Sequence, residues 1–327
     1  MIKSKARITA IGSYVPEQVL TNLDLEKMVE TNDEWIVQRT GIKERRITKN
    51  DEFTSDLCLN AVKNLIESSN KSIDDVDMII VCTVTPDFHT PSVASYLQGK
   101  LGIVNTGAID LNAACAGFTY GLHMANGLIT SGLHKKNLVL GAETLSKITD
   151  YKDRSTCILF GDGAGADLVE YDEEQPSFIS SYLGSDGDAG INLYCTNLSN
   201  SFDGIELVNN GLLVQNGSQV YKWVVKTIPQ GMKKVMDQSG MNLNEVDWFV
   251  PHSANLRMIE SICDKSGFSI DRTLTSLEYY GNTSSASIPL ALCKGVREGK
   301  IKSGDKILLY GFGGGLAHCG LLVDWNL

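Results

Sequence analysis

Four stretches of the chain are apolar at consecutive positions rather than at every second one. They are "MIIVC" (78–82), "LVLG" (138–141), "WFVP" (248–251) and "ILLYGFG" (307–313). A strand with one face in water alternates apolar and polar residues, whereas a strand of a parallel sheet covered by helices on both faces stays apolar throughout. Helical patterns separate these stretches. The pattern therefore predicts an α/β fold with parallel sheets covered on both faces.

The second half of the chain repeats the pattern of the first half. An acidic turn leads into an apolar strand at 72–86 and again at 242–255, and the shared Val-Asp pair gives an offset of 247 − 77 = 170 residues. The later strands at 135–144 and 304–314 align when Leu138 is placed opposite Ile307, an offset of 307 − 138 = 169. A repeat of one supersecondary pattern indicates a duplicated unit.

Each half also has a turn of small residues followed by a helical pattern. The first begins at Cys115 and ends near Gly132, and the second begins at Asn282 and ends near Gly299. We therefore predict two similar α/β halves. Residues 1–170 would form the first and carry the cysteine, and residues 171–327 would form the second and carry a histidine and an asparagine.

Three side chains with useful chemistry follow the ends of predicted strands. Cys115 and Asn282 start equivalent helices, and His252 directly follows "WFVP". Ligands of open α/β sheets bind at the carboxyl ends of strands, and equivalent ends converge in a duplicated fold. A helix N-terminus favours a thiolate, and an imidazole lowers the pKa of the thiol further or accepts its proton. We therefore expect an activated cysteine for acyl transfer from a thioester, with "GFGGGL" (311–316) supplying backbone N–H groups to an oxyanion hole.

Each of these signals has a structural alternative. A lone cysteine is more often an inert core residue, and a histidine after a strand often serves packing. "GNTSS" would also cap a helix, and three glycines usually mark a turn. Their common placement at equivalent strand ends favours the catalytic interpretation.

Composition and charge exclude several other classes of protein. Of 327 residues, 43% are hydrophobic and 21% charged, as in ordinary globular domains. No apolar run suits a signal peptide or a membrane span, so we expect a cytoplasmic protein with reduced cysteines and no membrane partner. The eight cysteines form no C-x-x-C pair, and no metal site is predicted. A net charge of −10 disfavours nonspecific binding of nucleic acid.

Six motifs occur in the order and at the spacing of one known family. They are "TNDEWIVQRTGIKERRI" (31–47), "ACAGF" (114–118), "DRSTCILFGDGAGA" (153–166), "PHSANLR" (251–257), "GNTSS" (281–285) and "GFGGGL" (311–316). Together they resemble the β-ketoacyl-[acyl-carrier-protein] synthase III family, which starts bacterial type II fatty-acid synthesis. The resemblance spans almost the whole chain. It implies the thiolase-like fold, in which two similar α/β halves form a five-layer αβαβα sandwich.

The resemblance also implies a role for the motif residues. Cys115 would take an acyl primer from acyl-CoA. His252 and Asn282 would stabilise the enolate formed when malonyl-[acyl-carrier-protein] loses carbon dioxide, and this enolate would attack the acyl group to give 3-oxoacyl-[acyl-carrier-protein]. The backbone N–H groups of Cys115 and Gly314 would form the oxyanion hole. Coenzyme A thioester is then a substrate, and no cofactor is expected.

Coenzyme A and the carrier protein would each contact residues that match the family. The adenine would lie near Trp35 and Arg154, with Thr31 and Arg39 as further contacts and Asn255 beside the pantetheine; an ordinary half-buried aromatic is the alternative for Trp35. A solvated helix face explains the lysines at 222 and 226 as well as docking does. The expected docking residues are Ser253, Ala254, Asn255, Leu256, Arg257 and Lys222.

Three positions depart from the common family pattern. Ser253 stands where many members have glutamine, and His318 stands where tryptophan is common. A second imidazole near the glycine-rich loop suits either packing or a part in catalysis. Thr90 stands where acetyl-preferring members have a phenylalanine that closes the acyl pocket across a dimer interface. We therefore expect a larger pocket that accepts branched or longer primers alongside acetyl.

Two other functions fit the same motifs less well. One is a secondary-metabolism condensing enzyme or acyltransferase of the same superfamily, which the carrier-protein patch would distinguish. The other is a degenerate subunit that binds acyl chains or partners, against which the intact Cys115, His252 and Asn282 argue. The resemblance to the synthase III family implies a homodimer.

Overall fold

The computed structural model describes residues 3–327, which form fifteen strands and nine α-helices. In chain order the strands are β1 (Ala6–Tyr14), β2 (Gln18–Thr21), β3 (Glu44–Ile47), β4 (Met78–Cys82), β5 (Gly107–Leu111), β6 (Lys136–Thr144), β7 (Asp162–Tyr171), β8 (Phe178–Ser185), β9 (Leu193–Cys195), β10 (Ser201–Phe202), β11 (Ile205–Glu206), β12 (Leu213–Gln215), β13 (Trp248–Pro251), β14 (Lys306–Gly313) and β15 (Ala317–Asp324). The helices are α1 (Asn22–Leu25), α2 (Asp33–Thr40), α3 (Thr54–Ser69), α4 (Val93–Leu101), α5 (Gly117–Thr130), α6 (Gly217–Ser239), α7 (Leu256–Ser266), α8 (Leu277–Tyr280) and α9 (Ser287–Arg297).

Two large sheets come from separate halves of the chain. The first has the strand order β1-β7-β6-β4-β5, and the second has the order β13-β14-β15-β8. Only β4 with its two neighbours and β13 with β14 run parallel; the other pairs are antiparallel. The expectation of parallel sheets is therefore wrong in part. Strands buried on both faces read as apolar whatever their direction, so the pattern cannot tell parallel from antiparallel neighbours.

The helices form three layers around the two sheets, which confirms the expected five-layer αβαβα sandwich. Helices α3 and α4 cover the outer face of the first sheet, and α6 covers the outer face of the second with α7 packed against it. Helices α5 and α9 lie between the sheets and contact strands of both. Among residues 3–327, none of the helices has both the length and the apolar character that a membrane crossing requires.

The motif "FGDGAGA" brings the central helix α9 close to β7. A Cβ atom on Gly163 would lie 2.9 Å from Leu290 Cδ1, and one on Gly165 would overlap Pro289. Side chains at these two positions would push α9 away from the sheet. The glycines therefore set the distance between the layers that carry the two halves of the site.

The two sheets show the repeat more accurately than the sequence alignment does. Ile79 on β4 pairs with Leu138 on β6, and Phe249 on β13 pairs with Leu308 on β14. Both strands thus repeat at one offset, 249 − 79 = 308 − 138 = 170 residues. The alignment of Leu138 with Ile307 is wrong by one residue, because β14 is apolar from Ile307 onward and carries no alternation that would mark its register.

The offset of 170 also corrects the counterpart of Cys115. Short 3₁₀ turns precede the two central helices at 114–116 and 284–286, so the counterpart of Cys115 is Ser285. Asn282 instead corresponds to Asn112. The two asparagines cap their turns in the same way: Asn112 Oδ1 accepts the Ala114 N–H at 3.3 Å, and Asn282 Oδ1 accepts the Ser284 N–H at 2.9 Å.

Candidate active site

A cavity of about 890 Å³ lies where the two halves meet. Its walls come from the strand ends and turns of both halves, and they include Cys115 from the first half and His252 and Asn282 from the second. Gly314 and Asn255 also line it. The structure thus brings together the three side chains that the sequence analysis singled out, although Cys115 lies more than one hundred residues before the other two along the chain.

Cys115 sits in the tight turn before α5, where Ala114 adopts a left-handed backbone with φ of 45°. Burial raises the pKa of its thiol to about 11; the Ser284 hydroxyl and the N–H groups of Cys115 and Gly314 lower it in part, and the charge of Glu143 raises it. Desolvation thus outweighs the hydrogen bonds. Burial therefore raises the pKa of the Cys115 thiol in the resting site, whereas the sequence analysis expected the helix N-terminus and an imidazole to lower it.

Gly313, the second glycine of "GFGGGL", lies directly against Cys115. A Cβ atom on Gly313 would be 2.6 Å from Cys115 Cβ and 2.8 Å from its sulfur. The neighbouring Gly314 has more room, since its nearest contact would be Ala114 Cβ at 3.2 Å. The last residue of β14 thus needs to be glycine so that the strand can approach the turn that carries the thiol.

We expect Gly313→Ala to destabilise the fold by about 2 kcal/mol, the usual cost of one extra carbon in a packed site. In a chain of this size that lowers the unfolding temperature by several degrees. Thermal unfolding followed by circular dichroism measures it. Gly127→Ala is the control, because a Cβ atom there meets no atom within 4 Å. An unchanged midpoint in Gly313→Ala would contradict the packing argument.

His252 is held from three sides. Its backbone N–H donates to the Tyr310 carbonyl at 2.8 Å. The ring nitrogen Nδ1 lies 2.8 Å from the Ser287 hydroxyl, and the ring packs edge-on against Phe312 with centroids 5.2 Å apart. Burial lowers the pKa of His252 to about 3, and the Ser284 carbonyl raises it slightly. The imidazole is therefore neutral at physiological pH, so it acts as a hydrogen-bond donor rather than as a cation.

Asn282 is fixed by both its backbone and its side chain. Its N–H donates to the Leu159 carbonyl at 2.8 Å, and its carbonyl accepts the Gly161 N–H at 3.0 Å. Because its Oδ1 accepts the Ser284 N–H, its Nδ2 remains as the donor. Asn282 and His252 thus bring neutral N–H groups to one wall of the cavity.

The sequence analysis missed several residues that support these groups. Ser287 holds His252. Arg45 donates from Nε to the Ile158 carbonyl at 3.2 Å, next to the segment 159–161 that bonds the Asn282 backbone. Glu143 is buried beside the turn that carries Ser284. The sequence carries no signal for Glu143: the offset of 169 for these strands aligns it with Phe312, and only the corrected offset of 170 aligns it with Gly313.

The proposed coenzyme contacts form a group of their own near α2. Two guanidinium groups lie over the Trp35 ring, that of Arg39 at 5.1 Å and that of Arg154 at 5.2 Å from the ring centroid. Arg154 also donates to the Glu30 carbonyl at 3.1 Å. The Thr31 hydroxyl is buried without a hydrogen-bond partner among the described residues. A flat aromatic ring with cations on it and a free hydroxyl nearby suit a ligand that carries a heteroaromatic ring and phosphates.

The expected docking segment is only partly at the surface. Ser253 is fully buried and its hydroxyl accepts the Ser276 N–H at 3.0 Å; Ala254 is also buried, so neither can touch a carrier protein. Asn255 caps α7 by accepting the Met258 N–H at 2.9 Å. In contrast, Arg257 is exposed and donates to the Gln38 carbonyl at 2.9 Å.

Two of the remaining predicted positions lie away from the cavity. Lys222 is exposed on α6, which packs against α7. Thr90 is exposed and does not line the cavity within the single chain.

His318 serves packing. Its Nδ1 lies 3.0 Å from the Tyr310 hydroxyl, and its ring packs between the side chains of Tyr182 and Trp223. Burial lowers its pKa. Its ring lies next to Gly231 and Trp223 of α6, and it does not line the cavity that contains Cys115.

Comparisons with known proteins agree with this geometry. The sequence-family model of 3-oxoacyl-[acyl-carrier-protein] synthase III matches residues 109–187. The family model of the C-terminal part of this synthase matches residues 236–325. The β-ketoacyl-[acyl-carrier-protein] synthase III 2 of Halalkalibacterium halodurans is 71% identical over 99% of this chain and 98% of its own, and that of Bacillus cereus is 60% identical over 99% of both. The crystal structure of the synthase III of Thermus thermophilus superposes with a TM-score of 0.94 at 42% identity, over 98% of this chain and 99% of that chain. This chain therefore belongs to the β-ketoacyl-[acyl-carrier-protein] synthase III family.

Proposed function

We propose that this protein joins an acyl primer from acyl-CoA to malonyl-[acyl-carrier-protein] and releases 3-oxoacyl-[acyl-carrier-protein], carbon dioxide and coenzyme A. It is an acyltransferase that starts fatty-acid synthesis. The observation that carries this proposal is the meeting of Cys115, His252 and Asn282 in one cavity between the two halves. The names of its 71% and 60% identical relatives favour this function over a secondary-metabolism condensing enzyme.

In the first half-reaction Cys115 attacks the carbonyl carbon of the acyl-CoA thioester. The backbone N–H groups of Cys115 and Gly314 already lie close enough to the sulfur to lower the pKa of its thiol. The tetrahedral oxyanion would form beside the sulfur, within reach of both groups. Because neither group has to move, the reaction pays little reorganisation energy there.

In the second half-reaction His252 and Asn282 stabilise the enolate of the decarboxylating malonyl thioester. Both are neutral donors: burial keeps the pKa of His252 at about 3, and the Asn282 amide carries no charge. A carboxylate at either position would repel the growing negative charge on the thioester oxygen. The carbanion then attacks the acyl group on Cys115, and the thiolate leaves. This chemistry uses only side chains and the two thioesters, so no cofactor takes part.

Coenzyme A and the carrier protein would bind at the mouth of the cavity. We infer that the adenine stacks beside Trp35, that Arg39, Arg154 and Thr31 contact the nucleotide, and that Asn255 contacts the pantetheine. The two guanidinium groups on the indole ring support this assignment. A surface of Arg257 and Lys222 would attract the acidic carrier protein, and both side chains are exposed.

We infer that the protein acts as a homodimer in the cytoplasm. Strand β5 is an edge strand of the first sheet, and Phe88, Tyr96 and Val104 nearby are exposed apolar side chains. Edge strands with apolar surroundings are suited to pairing with a second copy. Eight cysteines without a disulfide suit a reducing compartment.

We expect Thr90→Phe to lower the acylation rate with isobutyryl-CoA about tenfold and to leave the rate with acetyl-CoA nearly unchanged. In the dimer a phenylalanine at this exposed loop position would reach the acyl pocket of the partner copy and shorten it, and a pocket discriminates branched from short chains by about this factor. Thr90→Val is the matched control, since it keeps the shape of threonine. Equal rates of Thr90→Phe and the parent with isobutyryl-CoA would contradict the assignment.

One experiment tests the proposed function as a whole. The parent protein is mixed briefly with acetyl-, isobutyryl- or hexanoyl-CoA, and its intact mass is measured before and after malonyl-[acyl-carrier-protein] is added. We expect a mass gain of one acyl group, mapped to the peptide with Cys115, and its loss together with formation of the 3-oxoacyl carrier protein. No mass gain with any of the three thioesters would refute the proposal.

A further inference from the structure

Glu143 is a buried carboxyl group for which the mechanism above has no role. It lies near the C-terminal end of β6, which packs against the turn 284–286, and it has no exposed surface. Its hydrogen-bond partners are neutral groups. A carboxyl group in such a place is costly to keep unless the protein uses it.

The two oxygens of Glu143 have unequal surroundings. Oε2 accepts three hydrogen bonds, from the Thr85 hydroxyl at 2.7 Å, the Val84 N–H at 3.1 Å and the Thr83 hydroxyl at 3.2 Å. Oε1 has only the Ser285 hydroxyl at 3.2 Å, and that hydroxyl is closer to the Cys82 carbonyl, at 2.7 Å. Oε2 is therefore arranged for a carboxylate, whereas Oε1 has room to take up a proton.

The hydroxyl of Ser284 belongs to the turn 284–286, which packs both against β6 and against the turn 114–116 that carries the reactive sulfur. It is buried, has no well-aligned hydrogen bond among the described residues, and lines the cavity. Burial raises the pKa of Cys115 to about 11 and that of Glu143 to about 7, and the Ser284 hydroxyl counteracts both shifts, so it is close to both groups. A hydroxyl rotates freely, so it can donate to either neighbour in turn.

We propose that Glu143 holds the proton of Cys115 while the acyl group occupies the sulfur, and that the Ser284 hydroxyl carries this proton between them. The inference rests on the proposed condensing function and adds a proton acceptor to it. His252 is too weak a base for the task, because burial keeps its pKa at about 3.

The proton balance closes over the two half-reactions. As the bond between the Cys115 sulfur and the acyl carbon forms, the thiol proton passes to Ser284 and the Ser284 proton passes to Glu143 Oε1. The bond from the acyl carbon to the coenzyme sulfur breaks, and the coenzyme thiolate takes one proton from water. When the enolate later displaces Cys115, the thiolate recovers its proton from Glu143 through Ser284. One proton from water is consumed per turnover, as the overall reaction requires.

The negative charge of Glu143 raises the pKa of three cysteine thiols, each on a different structural element. They are Cys58 on α3, Cys82 on β4 and Cys115 on the turn before α5; burial raises the pKa of each, and Glu143 raises it further. The first two are fully buried and lie outside the cavity. Glu143 is the group among these four that titrates near neutral pH.

The test is the acylation rate of Cys115 as a function of pH, measured by intact mass with acetyl-CoA. The carboxylate is the acceptor, so the rate of the parent should fall as the pH is lowered through about 7. The acylation rate of Glu143→Gln should be about 10²-fold lower than that of the parent at pH 8, the usual contribution of a general base. Its pH–rate profile should also lack the inflection near pH 7. Asp167→Asn is the matched control: it is an equally buried carboxyl group, on β7 and outside the cavity, and should keep the inflection.

Ser284→Ala tests the same path without touching the carboxyl group. Alanine tolerates the left-handed backbone of this position, φ of 47°, because Ala114 has φ of 45° at the counterpart in the first half. This variant should also be about 10²-fold slower at pH 8. If Glu143→Gln does not fold, the acylation rate of Ser284→Ala is the test of the proton path.

A second readout separates this inference from the proposed function. Iodoacetamide alkylates Cys115 and displaces its proton without any acyl-CoA, so the same inflection should appear in the parent and vanish in Glu143→Gln. If the parent takes no acyl group but shows this difference, the proposed function fails and the proton path stands. Parent-like profiles in Glu143→Gln or in Ser284→Ala, or faster reaction of Glu143→Gln than of the parent at pH 7, would overturn the inference.

Discussion

Cys115→Ser is expected to lower the rate of self-acylation by acyl-CoA by at least about 10⁴-fold, to a level where no mass gain is seen. A thiol whose pKa is about 11 still loses its proton far more readily than a serine hydroxyl. The cavity offers no strong base to make up the difference, because the pKa of His252 is about 3 and that of Glu143 about 7. The site is thus built for sulfur, although serine would fit the space.

The matched control is Cys195→Ser. Among residues 3–327, Cys195 is the one exposed cysteine, and its thiol donates to the Gly211 carbonyl at 3.3 Å. This variant should gain the acyl mass at the rate of the parent. An undiminished mass gain in Cys115→Ser would mean that another side chain is the nucleophile.

Asn282→Asp should lower the condensation rate about 10³-fold while self-acylation stays within tenfold of the parent. The change keeps the size of the side chain and its bond to the Ser284 N–H, but it replaces the Nδ2 donor by a carboxylate oxygen. Loss of one donor to a developing oxyanion costs about 10²–10³-fold, and repulsion between the carboxylate and the enolate adds to it. Single-turnover mass measurements resolve the two half-reactions.

The pH dependence of this variant gives a second check. Burial raises the pKa of a carboxyl group, and the protonated form is a hydrogen-bond donor. The condensation rate of Asn282→Asp relative to the parent should therefore rise as the pH falls through that pKa. Asn112→Asp is the matched control, because Asn112 occupies the equivalent turn of the other half. Equal losses in the two variants would show that charge near the cavity matters rather than the position of the donor.

The sequence predicts the layers and the three reactive side chains but not their fine arrangement. Apolar strands, small-residue turns and motif order suffice to bring Cys115, His252 and Asn282 together. Cys115 and His252 follow strand ends, and Asn282 lies in the turn that precedes α9. The register of β14 escapes the pattern, since Ile307, Leu308 and Leu309 are equally apolar. A one-residue slip there changes which residue is taken as the counterpart of Cys115.

Burial explains the other differences between expectation and structure. The charge state of Cys115 depends on how much water its neighbours exclude, which a motif does not reveal. Ser253 and Ala254 belong to a motif with exposed members yet lie beneath the surface. Glu143 appears in the sequence as one more acidic residue, and only the fold places it next to Ser284.

Gly313 and Gly314 lie close to Cys115 in space but far from it along the chain, which has a consequence for synthesis on the ribosome. Chains are made from the N-terminus, and a domain folds as its parts emerge. Cys115 leaves the ribosome 314 − 115 = 199 residues ahead of the glycine that completes its oxyanion hole. Until β14 docks against the turn before α5, the thiol has neither the N–H group of Gly314 nor the closed wall of the cavity. Acylation that uses the oxyanion hole and the walls of the cavity therefore begins only after the two halves have joined.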